Sequence, residues 1–555
     1  MRGFTLEYDR FEAAEERLRE ALTSTGNGYF CTRGAAEWED ADDVHYPGTY
    51  AHGCYNRETT IMGGRPVLNE DLVNLPNWLV LKLRIEGEEP IELENVELLA
   101  YRHEYDIRNA LVLRELRFRD RAGRETELRS RRFVSMAHVH QAGIEWTLEP
   151  VNWSGRVEVV SALDGRVTNR GVARYRALEG RHLDPVSPRT FGPEIIALKV
   201  RTRQSSVYVA EAARTCVFRG DARAEVERDL FQREEYIQQV LAFDARQGEP
   251  VRVEKMVAFY TSHDHAISEP LGNAGKSVGR YPEFAEALEH HARAWDELWR
   301  TCDLTLPRDE RVQLLLRFHI AHILQVCSRH TADHDAGVPA RGLNGEAYRG
   351  HVFWDELFIY PFLNFRLPEI TRHLLLYRYR RLGEARAAAR EAGYRGAMYP
   401  WQSGSDGEEE TQVVHLNPLS GRWDPDLSHN QRHVNAAIFF NLWHYFQATD
   451  DLEVPARPRR RDDARDRALL GLDRALQPRA RPLRDPRGHG PRRVPREVPR
   501  RRRGRSAQQR LHERDGGVDL RDRRDGARPA ATEPARGAGG AARARRRGDR
   551  DLAGD

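Results

Sequence analysis

Trp354 stands beside Asp355 at the end of an aromatic and polar stretch, Gly342-Leu343-Asn344-Gly345-Glu346-Ala347-Tyr348-Arg349-Gly350-His351-Val352-Phe353-Trp354-Asp355-Glu356. An indole offers a flat apolar face to the C–H side of a sugar, and a carboxylate accepts hydrogen bonds from paired hydroxyls. The pair therefore suits carbohydrate binding. The same residues admit a plainer reading, in which Phe353 and Trp354 are core and Asp355 caps the next helix. A second stretch, Tyr399-Pro400-Trp401-Gln402-Ser403-Gly404-Ser405-Asp406-Gly407-Glu408-Glu409-Glu410-Thr411, again joins an aromatic, Trp401, to polar side chains, Gln402 first among them. Its acidic run also suits a solvated loop. His433 and Asn435 form a third candidate, although a lone His on a helix is more often a satisfied core residue. No His has metal-site spacing with a partner: His290-His291 and His319/His322 fall at ordinary helix positions, so no metal is expected.

The segments that must position these groups differ along the chain. Residues 1–270 read mostly as β, with short apolar or alternating runs between Gly, Asn and Asp turns, among them Trp78 to Ile85, Val157 to Val160 and Ala197 to Arg201. Many short strands spaced by turns predict a sandwich. Residues 283–300 predict an amphipathic helix with Trp295 and Trp299 on one face, inside a helical linker over 271–309. From Glu310 the pattern turns to long helices: 311–330, apolar around most of its circumference; 368–393, ending at Gly393 as a C-cap; and 432–449. Long loops rich in aromatic and acidic residues separate them. A helical barrel whose loops carry chemistry fits this layout. A helical repeat array would fit too, but no repeat period is visible.

Beyond Val454 the composition breaks. Residues 455–555 hold 31 Arg and 15 acidic residues, with no Lys, Ile, Phe, Trp, Tyr, Met, Asn or Cys. Such a segment cannot bury enough apolar area to offset its chain entropy, so it is expected to be disordered. Ala, Gly, Pro and Arg are what GC-rich codons encode, which suggests a gene read out of frame. With suitable codons, Val454 to Ala464 reads one base over as FLRDHGAEMM, and 465–478 continues as LEIARFWASIAHFNP, with apolar residues at helical spacing. Gly490 to Arg496 reads as GPDEFH. An Arg-rich nucleic-acid-binding arm on a carbohydrate-binding body is the competing reading. Against it, basic arms usually mix Lys with Arg and carry few acids.

Without that tail, 57 basic face 70 acidic residues, a net of −13, so no nucleic-acid partner is expected of the body. Five sparse Cys form no framework, the N-terminus has no apolar leader, and no run suits a membrane span. The expected location is the cytoplasm, away from any membrane.

Several motifs resemble glycoside hydrolase family 65, the family of trehalose, maltose and kojibiose phosphorylases and some trehalases. They are Asn27 to Phe30 with Thr32 to Gly34, His45 to Tyr50, Tyr55 to Arg57 and Asn69 to Trp78 in the first half, then Ala347 to Asp355, Leu376 to Leu382 and Pro400 to Ser403. The resemblance covers residues 1–453 and implies an α+β multidomain chain: N-terminal β-sandwich over 1–270, helical linker over 271–309, incomplete (α/α)6 barrel over 310–453 and disordered Arg-rich tail over 454–555. It implies Trp354 and Asp355 as donor-sugar ligands and Trp401 and Gln402 as acceptor-side ligands. The implied reaction is inverting phosphorolysis of an α-linked glucose disaccharide to β-glucose 1-phosphate and glucose. A glutamic acid protonates the glycosidic oxygen while inorganic phosphate, a co-substrate, attacks C1 from the opposite face. No cofactor is implied, and intact members are expected to be homodimers. The family's general acid sits in a Gly-Pro-Asp-Glu motif, which here appears only out of frame near Arg493. No catalytic residue is therefore expected in the chain as written. A hydrolase of the same family, a trehalase, is the nearest alternative.

Overall fold

The computed structural model describes residues 3–62, 64–306, 309–417 and 419–451. The Arg-rich tail and the out-of-frame stretch around Arg493 lie outside the described residues.

Period-two alternation builds the first half. In Leu81–Ile85 the leucines and Ile85 are buried while Lys82 and Arg84 face outward, and Tyr236–Ala245 alternates the same way. These two strands flank Gly155–Asp164, and with Glu227–Arg233 they make a four-stranded antiparallel sheet. A larger sheet runs, edge to edge, through Thr5–Tyr8, Glu97–Asp106, Leu111–Arg119, Glu125–Val134, Gln141–Pro150, Val251–Thr261, Tyr208–Arg219, Ile195–Thr202 and Leu183–Thr190, with Ala222–Ala224 paired at its side. Leu83, Val157, Val159 and Leu241 of the small sheet share one apolar core with Ile144, Trp146, Val217 and Val253 of the large one.

Helices complete the chain. α1 (Ala13–Leu22) precedes the second strand; the reading of residues 1–270 as mostly β did not single it out. α2 (Pro270–Val278) starts with Pro270 in its first turn and the Glu269 carboxylate accepting from the amides of Leu271 and Gly272, at 3.1 and 2.7 Å. α3 (Phe284–Cys302) follows. Leu271, Ala274, Phe284 and Ala287 pack against Phe133 and Ala210 of the large sheet, so α2 and the start of α3, within the expected linker, lie on that sheet. Trp295 and Trp299 do share a face: their rings stack 6.1 Å apart, buried with Phe4, Tyr105 and Ile320.

The remaining helices are α4 (Glu310–Val326), α5 (Glu356–Arg366), α6 (Pro368–Arg380), α7 (Leu382–Glu391) and α8 (Val434–Thr449). The single helix expected over 368–393 is two. Arg381 breaks it at φ −95° and ψ 10°, with its guanidinium on the Tyr377 carbonyl (3.0 Å), the Asp335 carboxylate (2.9 Å) and the Ser405 carbonyl. Gly393, at φ 79°, closes α7 as expected of a C-cap. α4 is not buried all round: Val312 and Leu315 are exposed, while Ile320 and Leu324 are buried. All five Cys are buried free thiols. No helix is long and apolar enough to cross a membrane, among the described residues.

Candidate sugar-binding site

A two-residue antiparallel bridge joins the two aromatic stretches. The Val352 amide donates to the Ser403 carbonyl and the Ser403 amide to the Val352 carbonyl, both at 3.0 Å. Trp354, two residues after Val352, and Trp401, two residues before Ser403, have ring centroids 6.5 Å apart. His433 sits between them, 4.7 Å from Trp354 and 4.8 Å from Trp401. It is an exposed ring within an aromatic group rather than a satisfied core histidine. Asn435 is structural: its side chain accepts from the Tyr399 amide at 2.8 Å and donates to the Arg432 carbonyl at 3.0 Å, holding the start of the second stretch.

These groups border a cleft of about 530 Å³, within the usual size range of ligand pockets. Phe353, Trp354, Asp355, Trp401 and Gln402 line it, together with Arg174, Tyr175, Arg341, Tyr348, His415 and Asp426. Asp355 stands at the N-terminal position of α5, but its side chain makes no capping bond. The carboxylate is half-buried, which raises its pKa, and the Arg341 charge pulls the other way. Gln402 spends its amide oxygen on His351 Nδ1, 3.1 Å away. Burial and the Arg349 charge push His351 down to about 3, so it is neutral near pH 7.

The acidic run of the second stretch is a tied loop, although Glu408 and Glu409 are exposed. Glu409 accepts from the amides of Trp401, Gln402 and Thr411 at 2.7, 3.1 and 3.1 Å. Arg57 bridges Asp406 (2.9 Å) and Glu410. Glu70 takes both the amide and the hydroxyl of Ser405. From below, Tyr377 of α6 donates to the Gly404 carbonyl at 2.5 Å. Arg378, ion-paired with buried Glu356 at 3.0 Å, donates to the Phe353 carbonyl at 2.8 Å.

The first stretch is clamped by the sheet-rich half. Glu346 accepts from the Tyr46 hydroxyl, the Tyr50 hydroxyl (3.1 Å) and the Gly171 amide (2.8 Å). Tyr55 donates to the Gly350 carbonyl at 2.6 Å, and Arg349 to Asn69 at 2.9 Å. Tyr348, Arg349 and Gly350 all have positive φ, and a Cβ at Gly350 would overlap Leu72. This is what the motifs His45 to Tyr50, Tyr55 to Arg57 and Asn69 to Trp78 do physically. Sequence reasoning marked them without their role, and it missed Arg174, Tyr175 and Arg341, which line the cleft. None of these carries a local signal; only the fold brings them to the cleft.

A sheet-rich domain clamped onto helices that present an aromatic, carboxylate-bearing cleft is the build of a multidomain carbohydrate-active protein. Similarity says which kind. Residues 6–298 match the glycosyl hydrolase family 65 N-terminal domain, and residues 317–457 match the family's central catalytic domain. The chain belongs to glycosyl hydrolase family 65. A Mycobacterium tuberculosis protein described as an uncharacterized glycosyl hydrolase is 46% identical over 452 residues, covering 81% of this chain and 34% of its own. The trehalose 6-phosphate phosphorylase of Lactococcus lactis is 34% identical over 457 residues, covering 82% and 57%. The kojibiose phosphorylase of Caldanaerobacter subterraneus is 34% identical over 449 residues, covering 78% and 55%. The chain thus spans between a third and somewhat over half of these relatives' length. A solved structure described as a putative kojibiose phosphorylase from human microbiome shares the fold, with a TM-score of 0.69 at 18% identity, covering 81% of this chain and 56% of that one.

Proposed function

We propose that the cleft is the sugar site of a disaccharide phosphorylase, acting on an α-linked glucose disaccharide by inversion. The observation that carries this is the bridge from Val352 to Ser403, which sets Trp354, Asp355, Trp401 and Gln402 around one cleft in a chain of this family. In this reading Trp354 and Asp355 hold the donor sugar, one by its apolar face and the other by its hydroxyls. Trp401 and Gln402 meet the acceptor sugar, and His351 fixes the Gln402 amide so that its NH2 is left to donate. The names of the relatives support this substrate class: kojibiose, trehalose and trehalose 6-phosphate are all built of α-linked glucose. Helices α4 to α8 form the first part of an (α/α)6 barrel in this reading.

Inverting phosphorolysis needs one acid and one nucleophile. The acid protonates the glycosidic oxygen, the C1–O bond breaks, and phosphate oxygen bonds to C1 from the opposite face. Phosphate replaces the base-activated water, so no second carboxylate is required. In this reading the glutamate is out of frame, since codons can be chosen with which Gly490 to Arg496 reads one base over as GPDEFH. Loss of a general acid alone typically costs about 10²–10⁴-fold. The chain is therefore a sugar-binding body without turnover, and restoring the frame returns activity. Calorimetric titration with trehalose, kojibiose and maltose tests the binding part. At least one should bind and lose affinity in Trp401→Ala; binding of none by the folded chain refutes the reading.

A further inference from the structure

The outermost strand of a sheet turns alternate amides and carbonyls to a side where no strand pairs with them, and such an edge can pair with another chain. Three of the four outer edges of the two main sheets are guarded. Leu183–Thr190, at one end of the large sheet, carries Pro185 and Pro188, with a register shift between Pro185 and Ser187. Thr5–Tyr8, at the other end, is only four residues long. Leu81–Ile85, at one end of the small sheet, is occupied on its outer side. The Leu81 amide donates to the Glu37 carbonyl at 3.0 Å, and the Ile91 amide to the Leu83 carbonyl at 2.8 Å.

The fourth edge, Glu227–Arg233, is open. Its seven residues, Glu-Arg-Asp-Leu-Phe-Gln-Arg, include no proline, and every one but Arg228 is exposed. Its strand partner is Tyr236–Ala245, and among the described residues its backbone makes no hydrogen bond outside that pairing. Leu230 and Phe231, large apolar side chains at its middle, face solvent.

The same seven residues are complementary to themselves. A two-fold antiparallel pair sets one residue against its own copy. Centred on Leu230, it sets Leu230 against Leu230, Asp229 against Phe231, Arg228 against Gln232 and Glu227 against Arg233, the last an opposite-charge pair made twice. Centred one residue earlier, it would set Asp229 against Asp229. Centred one residue later, it would leave Glu227 and Arg228 beyond the pairing. Two acids and two arginines give the strand no net charge, so two copies meet without repulsion. Within the chain Glu227 meets Arg156, and Arg233 lies over the Phe231 ring at 5.1 Å. The Glu227 carboxylate stays largely solvent-exposed, and exposed ion pairs exchange at little cost.

We propose that Glu227–Arg233 is a docking edge for a second copy of this chain, pairing antiparallel about Leu230 and joining two four-stranded sheets into one of eight strands. The inference is independent of the sugar reading of the cleft. One strand buries less area than a standard stable interface, so the dimer dissociates in the micromolar range.

The test uses the 555-residue chain carrying Phe365→Lys, so that the exposed apolar face of α5 does not contribute. Leu230→Cys should form a covalent dimer on oxidation by copper–phenanthroline. Val186→Cys, exposed on the proline-guarded edge, should not, and the native thiols are all buried. Sedimentation equilibrium with the native cysteines alone should show monomer and dimer in exchange. Arg233→Glu should weaken the dimer by about tenfold or more, and the double variant Glu227→Arg with Arg233→Glu should restore it. Equal cross-linking of Leu230→Cys and Val186→Cys overturns the proposal, as does a dimer that Arg233→Glu leaves unchanged. So does a double variant no better than Arg233→Glu alone, or a chain that shows no dimer at high concentration.

Discussion

Val352 and Ser403 exchange both of their backbone hydrogen bonds at 3.0 Å, and through that one bridge two stretches distant in sequence form a single wall. The aromatic rings owe their spacing to this backbone link rather than to one another. The wall is held from two sides, by Tyr377 and Arg378 of α6 and by the tyrosines of the sheet-rich half. Binding at the cleft is therefore expected to depend on residues that never touch a ligand.

Glu346 shows this most simply. Glu346→Ala strands the buried Tyr50 hydroxyl and the part-buried Gly171 amide, while the Tyr46 hydroxyl keeps the Thr168 carbonyl 2.8 Å away. Unmade buried hydrogen bonds cost about 1–3 kcal/mol each, so a loss of at least about 2 kcal/mol in folding stability is expected, with weaker sugar binding. Urea unfolding measures the first quantity. A change under about 0.5 kcal/mol would mean that the clamp is not structural.

Trp354→Ala and Trp401→Ala should each weaken disaccharide binding by about tenfold or more, since each removes an aromatic platform. Stability should change little, because both rings are only partly buried. Phe365→Ala, at an exposed position on α5, should leave binding untouched. Equal losses in all three variants would show that the effect is not local to the cleft.

How far the sequence revealed this can be seen residue by residue. Leu81–Ile85 was legible because a buried face imprints a period of two. Trp354 and Asp355 stood out because sugar chemistry asks for neighbouring residues of those types, and the fold sets both on one cleft. The break at Arg381 was not: good helix formers flank it, and its partners Asp335 and Ser405 lie far away in the chain. Nor was the clamp on Glu346, whose partner Tyr46 is 300 positions away. His433 misled because a lone histidine says nothing about the two tryptophans that the fold sets around it.

The partly buried His322 ring carries a pH signature. Burial lowers it from 6.5 to about 4, with the Leu22 carbonyl 3.0 Å from Nε2. Between these values the unfolded chain binds a proton that the folded chain refuses. This contribution to stability is thus present above about pH 6.5 and is lost as pH falls towards 4. His322→Gln removes the penalty. Relative to the parent, the variant should gain on the order of 3 kcal/mol between pH 6.5 and 4. Unfolding curves taken in parallel across that window decide it; parallel pH profiles would contradict the assignment.

Helices α5 and α8 leave large apolar side chains exposed, among them Phe358 (68%), Phe365 (80%) and Trp443 (49%). Exposed apolar patches drive association. Sedimentation of the 555-residue chain should show concentration-dependent self-association, reduced in Phe365→Lys. A chain that stays monomeric at high concentration in low salt would speak against it.

The most direct measurement is release of β-glucose 1-phosphate from kojibiose, trehalose, maltose and trehalose 6-phosphate in the presence of inorganic phosphate. It compares the 555-residue chain with the protein made after deleting one base before codon 454. The account predicts release by the restored protein from at least one of these substrates, and release at least about 10²-fold slower by the chain as written. A folded restored protein that splits none of them with phosphate or water would contradict it. So would a 555-residue chain that matches the restored rate.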